Sequence, residues 1–336
     1  MEPNNNQPEY LGGAQTLLEA PKEKMPLWAL LCLFALLILI SLGLIAFFQK
    51  EPTEEILPEQ NIAEEKASPY DGIELEATAV IVWDVANQKV LFEKNSSTPL
   101  PLASLTKVMA TLVASDLIPG YTTVTIEKDF LNEEGDTGLY ANEKWHFNDL
   151  ARFSLTVSSN DGMRAIASVA GAVLSNTTGI GEFETGRSAF VERMNQKAQK
   201  IGLTKTSFEN ETGLDLDEEN GGAYGTAYDM AHLFEYALGS YPEILEGTRA
   251  GSYDISSLSN LSHSATNTNP YVNFIPGIIG SKTGYTDLSG GNLVIAFNPE
   301  LQRPIIISVL GSSYDGRFVD TLKLVEATMA LVEQGN

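Results

Sequence analysis

The sequence predicts an α/β (α+β) fold, with one sheet assembled from both ends of a folded domain around a helical lobe and a single apolar span in front of it. Three observations predict it: an uncharged run near the N-terminus, β-rich runs confined to the two ends of the remaining chain, and helical runs between them. The chain has 336 residues, 43% apolar and 19% charged, which suits a globular protein and excludes a disordered or collagenous one. Its 21 Lys and Arg against 44 Asp and Glu give a net charge of -23, which repels nucleic acid and excludes it as a partner. Cys32 is the only cysteine, so no intramolecular disulfide can form, and with only His146, His232 and His263 a Cys/His zinc site is not expected.

Taken in order, residues 1–26 form a short tail and Leu27 to Phe48 an uncharged stretch of 22 residues. As a helix it would extend about 33 Å, enough to cross a bilayer. It is longer than the apolar core of a cleaved signal peptide, and Lys22 and Lys24 before it outnumber Lys50 after it. A retained anchor with the N-terminus inside is expected. Residues 49–68 are rich in Pro and Glu and read as an acidic linker. The folded domain is expected over residues 69–336.

Within it, ATAVIVWDV and KVLFEK flank Ala86-Asn87-Gln88 and predict a hairpin. Good helix formers follow Pro99 and Pro101 from Ser104 to about Leu117, and further helical runs lie near Asn148–Leu174, Gly186–Ile201 and Thr226–Leu238. Leu293–Phe297 and Pro304–Gly311 return to strand composition, and Phe318–Val332 closes as a helix.

Three motifs carry candidate chemistry. In Ser104-Leu105-Thr106-Lys107 the helical spacing places the lysine on the face of the serine, where its amine could take the hydroxyl proton. Lys107 is the only charged residue between Leu102 and Ser115, so burial should depress its pKa toward the range a base needs. Ser158-Ser159-Asn160 sets a hydroxyl and a carboxamide two residues apart on a turn between helical runs, able to relay a proton and hold an amide. Lys282-Thr283-Gly284, followed by Tyr285, offers a cation and a hydroxyl to a carboxylate beside a strand edge that an extended peptide could join. Ser281 occupies the position where a phosphate-binding loop needs glycine, so that reading is set aside.

In this order, 54 residues apart from serine to serine and 124 from Ser158 to Lys282, the motifs resemble the signature of penicillin-binding proteins and serine β-lactamases. The flanks PLASLTKVMATLV, VSSNDG, FVERMNQKAQKIGLTKTSFENETGLD, GTAYDMAHL and GSKTGYTDLSGGNLV are similar to the D-alanyl-D-alanine carboxypeptidase family of low-molecular-mass penicillin-binding proteins. The resemblance covers about Ala77 to Val325. It implies an antiparallel sheet flanked by helices with an all-helical lobe, no metal or other cofactor, stem peptides of peptidoglycan ending in D-Ala-D-Ala as substrate, and β-lactams as covalent inhibitors. By the same resemblance Ser104 is the acylated nucleophile, Lys107 its base, and Ser158 the relay to the departing D-alanine. Asn160 holds the substrate peptide and helps place Lys107. Lys282 supports Ser158, Thr283 binds the terminal carboxylate, and Gly284 allows close approach. The backbone N–H groups of Ser104 and Tyr285 face the developing oxyanion. Arg317 resembles an arginine near the substrate carboxylate, with a surface arginine as the alternative.

Ser159 departs from the glycine often found inside S-x-N, and the β-rich C-terminal domain and C-terminal membrane-associating helix of many relatives are not expected here. The implied location is the cell membrane, single-pass, with the catalytic domain extracytoplasmic. Competing expectations are a DD-endopeptidase using the same groups, a class A-like β-lactamase and a non-enzymatic β-lactam or peptidoglycan sensor. No E-x-x-x-N-type segment stands between the second and third motifs to favour the β-lactamase, and 26 residues are too few for a folded signalling domain inside the cell.

Overall fold

A computed structural model describes residues 25–48, 67–135, 137–175 and 183–335. The chain divides into two units, residues 1–65 and 66–336. In the first, α1 (Leu27–Phe48) is one continuous helix with no buried residue, and its most apolar window has a mean hydropathy of 3.0. Length and composition suffice to cross a membrane. Apart from residues 25–26 and 67–68, the expected tail and acidic linker lie outside the described residues.

The second unit opens with the expected hairpin, β1 (Ala79–Asp84) and β2 (Lys89–Lys94), whose turn is held by the Asp84 carboxylate accepting from the backbone and side-chain nitrogens of Asn87. β3 (Leu100–Pro101) leads through a 3-10 turn, Ala103–Leu105, into α2 (Thr106–Leu117). The helix expected from Ser104 therefore starts one tight turn later, which leaves the serine at its mouth. Short strands β4 (Thr123–Thr125) and β5 (Lys144–His146) pair with each other. The helical region near Asn148–Leu174 is α3 (Phe147–Val157) and α4 (Asn160–Ser175), broken at the polar pair Ser158-Ser159. α5 (Phe183–Lys200) comes next, then β6 (Ser207–Phe208), β7 (Ala223–Gly225) and α6 (Ala227–Ser240). β8 (Ser252–Ser256) and β9 (Ser262–Thr266) form a hairpin absent from the sequence-based expectation, because their composition is mostly polar. The chain closes with β10 (Ile278–Thr286), β11 (Gly290–Phe297), β12 (Ile305–Ser312) and α7 (Gly316–Glu333).

The main sheet has the order β10-β11-β12-β1-β2 with antiparallel neighbours throughout, so strands from the two ends of the domain meet where β12 pairs with β1. Both faces are covered, which is why β11 and β12 read as nearly unbroken apolar runs. Ile81, Val294, Ala296 and Ile306 face the core shared with the helical lobe, whereas Val80, Val82, Ile295 and Ile307 face a second core that includes Phe318 and Leu324 of α7. α2 runs through the first core with every residue from Thr106 to Ala114 buried. A helix enclosed on all sides is a rigid support for whatever sits at its start. β10 is one of the two edge strands, and the mouth of α2 lies against it.

Candidate active site

The first half of the site is built around the start of α2. Ala103 is held at φ 49°, a left-handed value uncommon for a residue with a Cβ, one position before Ser104. Behind it, Asn210 organises the turn ENETGLD. Its Oδ1 accepts from the backbone nitrogens of Thr212 (3.1 Å) and Gly213 (2.6 Å), and its Nδ2 donates to the Leu214 carbonyl at 2.8 Å. Gly213, at φ 82°, touches the Ala103 carbonyl so closely that a Cβ there would collide with it. That turn presents the Thr212 carbonyl to Lys107, whose Nζ donates to it at 2.7 Å and stands 2.8 Å from Ser104 Oγ. Lys107 is fully buried, and burial lowers its pKa to about 7 although the nearby Glu211 carboxylate pulls it upward. Glu211 is itself buried and paired with Arg187 at 2.9 Å.

The second half comes from the α3–α4 junction. Ser158 takes the left-handed conformation that ends α3 (φ 62°, ψ 38°), a position usually given to glycine, and its Oγ accepts a hydrogen bond from Lys282 Nζ at 2.9 Å. Ser159, the departure from the usual glycine, is buried and opens α4. Its hydroxyl accepts from the Gly162 nitrogen at 3.0 Å and shares a 2.7 Å hydrogen bond with Thr137. The extra side chain is thus absorbed as a helix cap. Asn160 Nδ2 donates to the Glu134 carbonyl at 2.6 Å, while its buried Oδ1 has no partner among the described residues. The expectation that Asn160 helps place Lys107 is corrected here, since the Thr212 carbonyl holds the amine instead.

β10 closes the site. Lys282 is buried, also donates to the Thr283 carbonyl at 2.8 Å, and has a pKa driven well below the lysine range by burial and then by its cationic neighbours Lys107 and Arg317. Thr283 Oγ1 donates to Thr268 Oγ1 at 2.6 Å. A Cβ on Gly284 would stand 2.8 Å from the Leu102 carbonyl and 3.2 Å from the Ser104 nitrogen, so only glycine lets the strand lie against the nucleophile turn. Arg317 is 4% exposed and donates from Nη1 to the Gly284 carbonyl at 2.8 Å, which excludes the surface arginine. Its guanidinium lies 4.4 Å from the Tyr314 ring centre and 4.6 Å from that of Phe318. Tyr285 is half-exposed and meets Tyr314 edge-on at 5.0 Å.

All the candidate side chains except that of Tyr285 are therefore partly or fully buried where the start of α2, the α3–α4 junction and β10 meet, as two hydroxyl–lysine pairs beside an edge strand. A lysine with a depressed pKa against a serine hydroxyl suits nucleophilic acyl transfer, and the basic groups Lys282 and Arg317 suit an anionic ligand. Sequence reasoning missed Asn210 as the holder of the Thr212 carbonyl, although the stretch FENETGLD carries part of the resemblance, and it missed Asn292 of β11. The signal for Asn292 was a lone polar side chain inside an apolar strand.

The model of the D-alanyl-D-alanine carboxypeptidase family, peptidase family S11, matches residues 62–313. A D-alanyl-D-alanine carboxypeptidase of Bacillus subtilis is 33% identical over 220 residues, covering 63% of this chain and 51% of the relative. Among solved structures, a D-alanyl-D-alanine carboxypeptidase of Mycobacterium tuberculosis superposes with a TM-score of 0.65 at 25% identity, covering 79% of this chain and 96% of that one. The ampicillin-bound penicillin-binding protein D2 of Listeria monocytogenes superposes with a TM-score of 0.62 at 27% identity, over 76% and 98%. The chain spans between half and three fifths of the length of the first curated relatives it matches. With the motif residues gathered at one place in a penicillin-binding-protein-like fold and the family model matched across most of the chain, this protein belongs to the D-alanyl-D-alanine carboxypeptidase family.

Proposed function

We propose that this chain is a membrane-anchored serine D-Ala-D-Ala carboxypeptidase that removes the terminal D-alanine from stem peptides of peptidoglycan. The observation that carries the reading is the buried Lys107 amine, with a pKa of about 7, standing 2.8 Å from Ser104 Oγ. Neutral Lys107 takes the hydroxyl proton as Oγ bonds to the carbonyl carbon of the penultimate D-alanine. The oxygen that gains charge is met by the N–H groups of Ser104 and Tyr285. Collapse breaks the C–N bond, and the leaving nitrogen takes its proton through Ser158, which Lys282 contacts at 2.9 Å. Water then cleaves the Ser104 ester and frees the shortened peptide.

The substrate's carboxylate explains why a strongly acidic protein gathers Lys107, Lys282 and Arg317 at one place. It would lie at Thr283, where its negative charge would raise the Lys282 pKa that burial lowers. Asn160, with an unpaired buried Oδ1, would accept from a substrate amide. Penicillins present a carboxylate and a reactive carbonyl to the same groups, so they would acylate Ser104. In this reading α1 holds the domain at the outer face of the membrane with the N-terminus inside, residues 49–68 being the tether and residues 69–336 the catalytic domain.

The test is D-alanine release by the full chain in detergent from a pentapeptide ending in D-Ala-D-Ala, with fluorescent penicillin reporting acylation. Repeated release that disappears in Ser104→Ala supports the carboxypeptidase. Labelling without release moves the assignment to a DD-endopeptidase, read on cross-linked dimers, or to a sensor that acylates and stops. Absence of labelling overturns the acyl-transfer reading altogether.

A further inference from the structure

Asn292 lies in β11, whose sequence GGNLVIAF has no other polar side chain, and it is fully buried. Its Nδ2 spends both protons, donating to the carbonyls of Pro101 at 3.0 Å and Leu102 at 3.1 Å. Its Oδ1 accepts from the Gly311 nitrogen at 2.8 Å. One carboxamide thus joins three segments: β11, the end of β12, and the stretch that runs through Ala103 to Ser104.

The register adds to this. Asn292 stands opposite Gly284 in the β10–β11 ladder. Gly284 packs against the same Leu102 carbonyl that Asn292 holds. Leu102 is further fixed by its own nitrogen, which donates to the Ala223 carbonyl at 2.9 Å. The residue after Gly284 is Tyr285, and two residues after Leu102 comes Ser104.

We propose that Asn292 is a positioning residue that sets the spacing between the backbone N–H groups of Ser104 and Tyr285, so that both address one oxygen. The inference rests on the proposed acyl transfer to Ser104. These two donors belong to segments that no ladder pairs directly, since β3 lies in a different sheet from β10. Their separation depends on contacts between the Leu102 region and the β10–β11 pair, and Asn292 is a hydrogen-bonded link across that boundary. Donors of an oxyanion hole act at about 2.7–3.1 Å from the oxygen, and a displacement near 1 Å costs up to about 10²-fold in rate. An apolar side chain at 292 would fill the space and leave the Leu102 segment without this tether.

The experiment uses the full chain in detergent and three variants, Asn292→Asp, Asn292→Leu and Asn292→Ser. Asn292→Asp keeps the shape and the acceptor for Gly311 but turns an oxygen toward two carbonyls. Acylation by fluorescent penicillin is measured per acylable molecule, which separates a slow site from an unfolded fraction. The rate constant for acylation should fall about 10–100-fold in Asn292→Asp and Asn292→Leu, and less in Asn292→Ser, while the preceding reversible binding changes less than about threefold. The preference for an ester substrate over its thiono counterpart should also narrow, because sulfur accepts hydrogen bonds weakly and the preference reports the oxyanion contacts.

Acylation at the wild-type rate in all three variants would overturn the proposal. So would a fall in rate with the ester preference unchanged, or loss of every acylable molecule in all three variants, since either assigns Asn292 to the fold alone. If the unsubstituted chain acylates but releases no D-alanine, the carboxypeptidase assignment fails and the penicillin measurements still decide the role of Asn292. If the unsubstituted chain does not acylate, both fall together.

Discussion

Lys107 and Lys282 are both buried in one site, yet their surroundings differ in sign. Lys107, on the enclosed helix α2, has a carboxylate within electrostatic range, Glu211, which offsets part of the burial effect and leaves its pKa at about 7. Lys282, on the edge strand β10, feels Lys107 and Arg317, both cations, and is driven well below the lysine range. Burial lowers both pKa values; the neighbouring charge then moves them in opposite directions, up for Lys107 and further down for Lys282. The helix half is thus suited to taking the nucleophile's proton. The charges that act on Lys282 are positive, and the proposed substrate brings a negative one.

The largest effect on this comparison comes from removing the nucleophile. Ser104→Ala should lower D-alanine release by about 10⁴-fold or more and abolish covalent penicillin labelling, read by gel fluorescence. Lys107→Met should reduce the acylation rate constant by about 10²–10⁴-fold, because a hydroxyl without its base must ionise unaided. The matching change in the strand half, Lys282→Met, should cost about 10²-fold on a peptide with a free C-terminal carboxylate. Its penalty should shrink on the corresponding C-terminal amide; equal losses on the two peptides would show that Lys282 does not serve the carboxylate.

A pH profile sharpens the same contrast. Lys107 must be neutral to accept a proton, so the acylation rate should rise as pH passes upward through about 7 and level off above it. Since Glu211 raises the Lys107 pKa, Glu211→Gln should move that midpoint to lower pH. A midpoint that stays in place, or moves up, would remove Glu211 from the account. The smallest effect belongs to the helix junction. Ser159→Ala deletes the cap on Gly162 and should cost about 1 kcal/mol, lowering Tm by about 2–4 °C in a thermal melt. Acylation should remain within about twofold, because the Ser159 hydroxyl faces Thr137 rather than a reacting group.

Much of the fold was legible because it rests on local signals. The apolar span, the first hairpin and the closing helix are written in composition and periodicity, and the sheet formed from both ends followed from where the strand runs fell. The β8–β9 hairpin was not legible, since SYDIS and SHSAT lack the apolar alternation that marks a half-buried strand. β10 was only partly so: Lys282, Thr283 and Gly284 are not strand-forming as a group, and their pairing with β11 keeps them extended. In the site, the candidate residues that the fold brings together could be named from three short motifs. Their supports could not, because Asn210 shapes a turn whose Thr212 carbonyl meets Lys107 only in the fold, and Asn292 holds carbonyls some 190 residues away.

The sequence by itself pointed to the candidate reacting groups, since i, i+3 spacing at a helix start sets Lys107 on the face of Ser104, and it pointed to a desolvated Lys107, because no other charge lies between Leu102 and Ser115. Only the tertiary structure decided what each group meets. It placed the Thr212 carbonyl rather than Asn160 on Lys107, buried Arg317 under aromatic rings against Gly284, and set Glu211 near one lysine and two cations near the other. The physical reason is range: helix spacing and apolar periodicity act over a few residues, whereas the charge and hydrogen-bond environment of a buried amine comes from segments a hundred or more residues away.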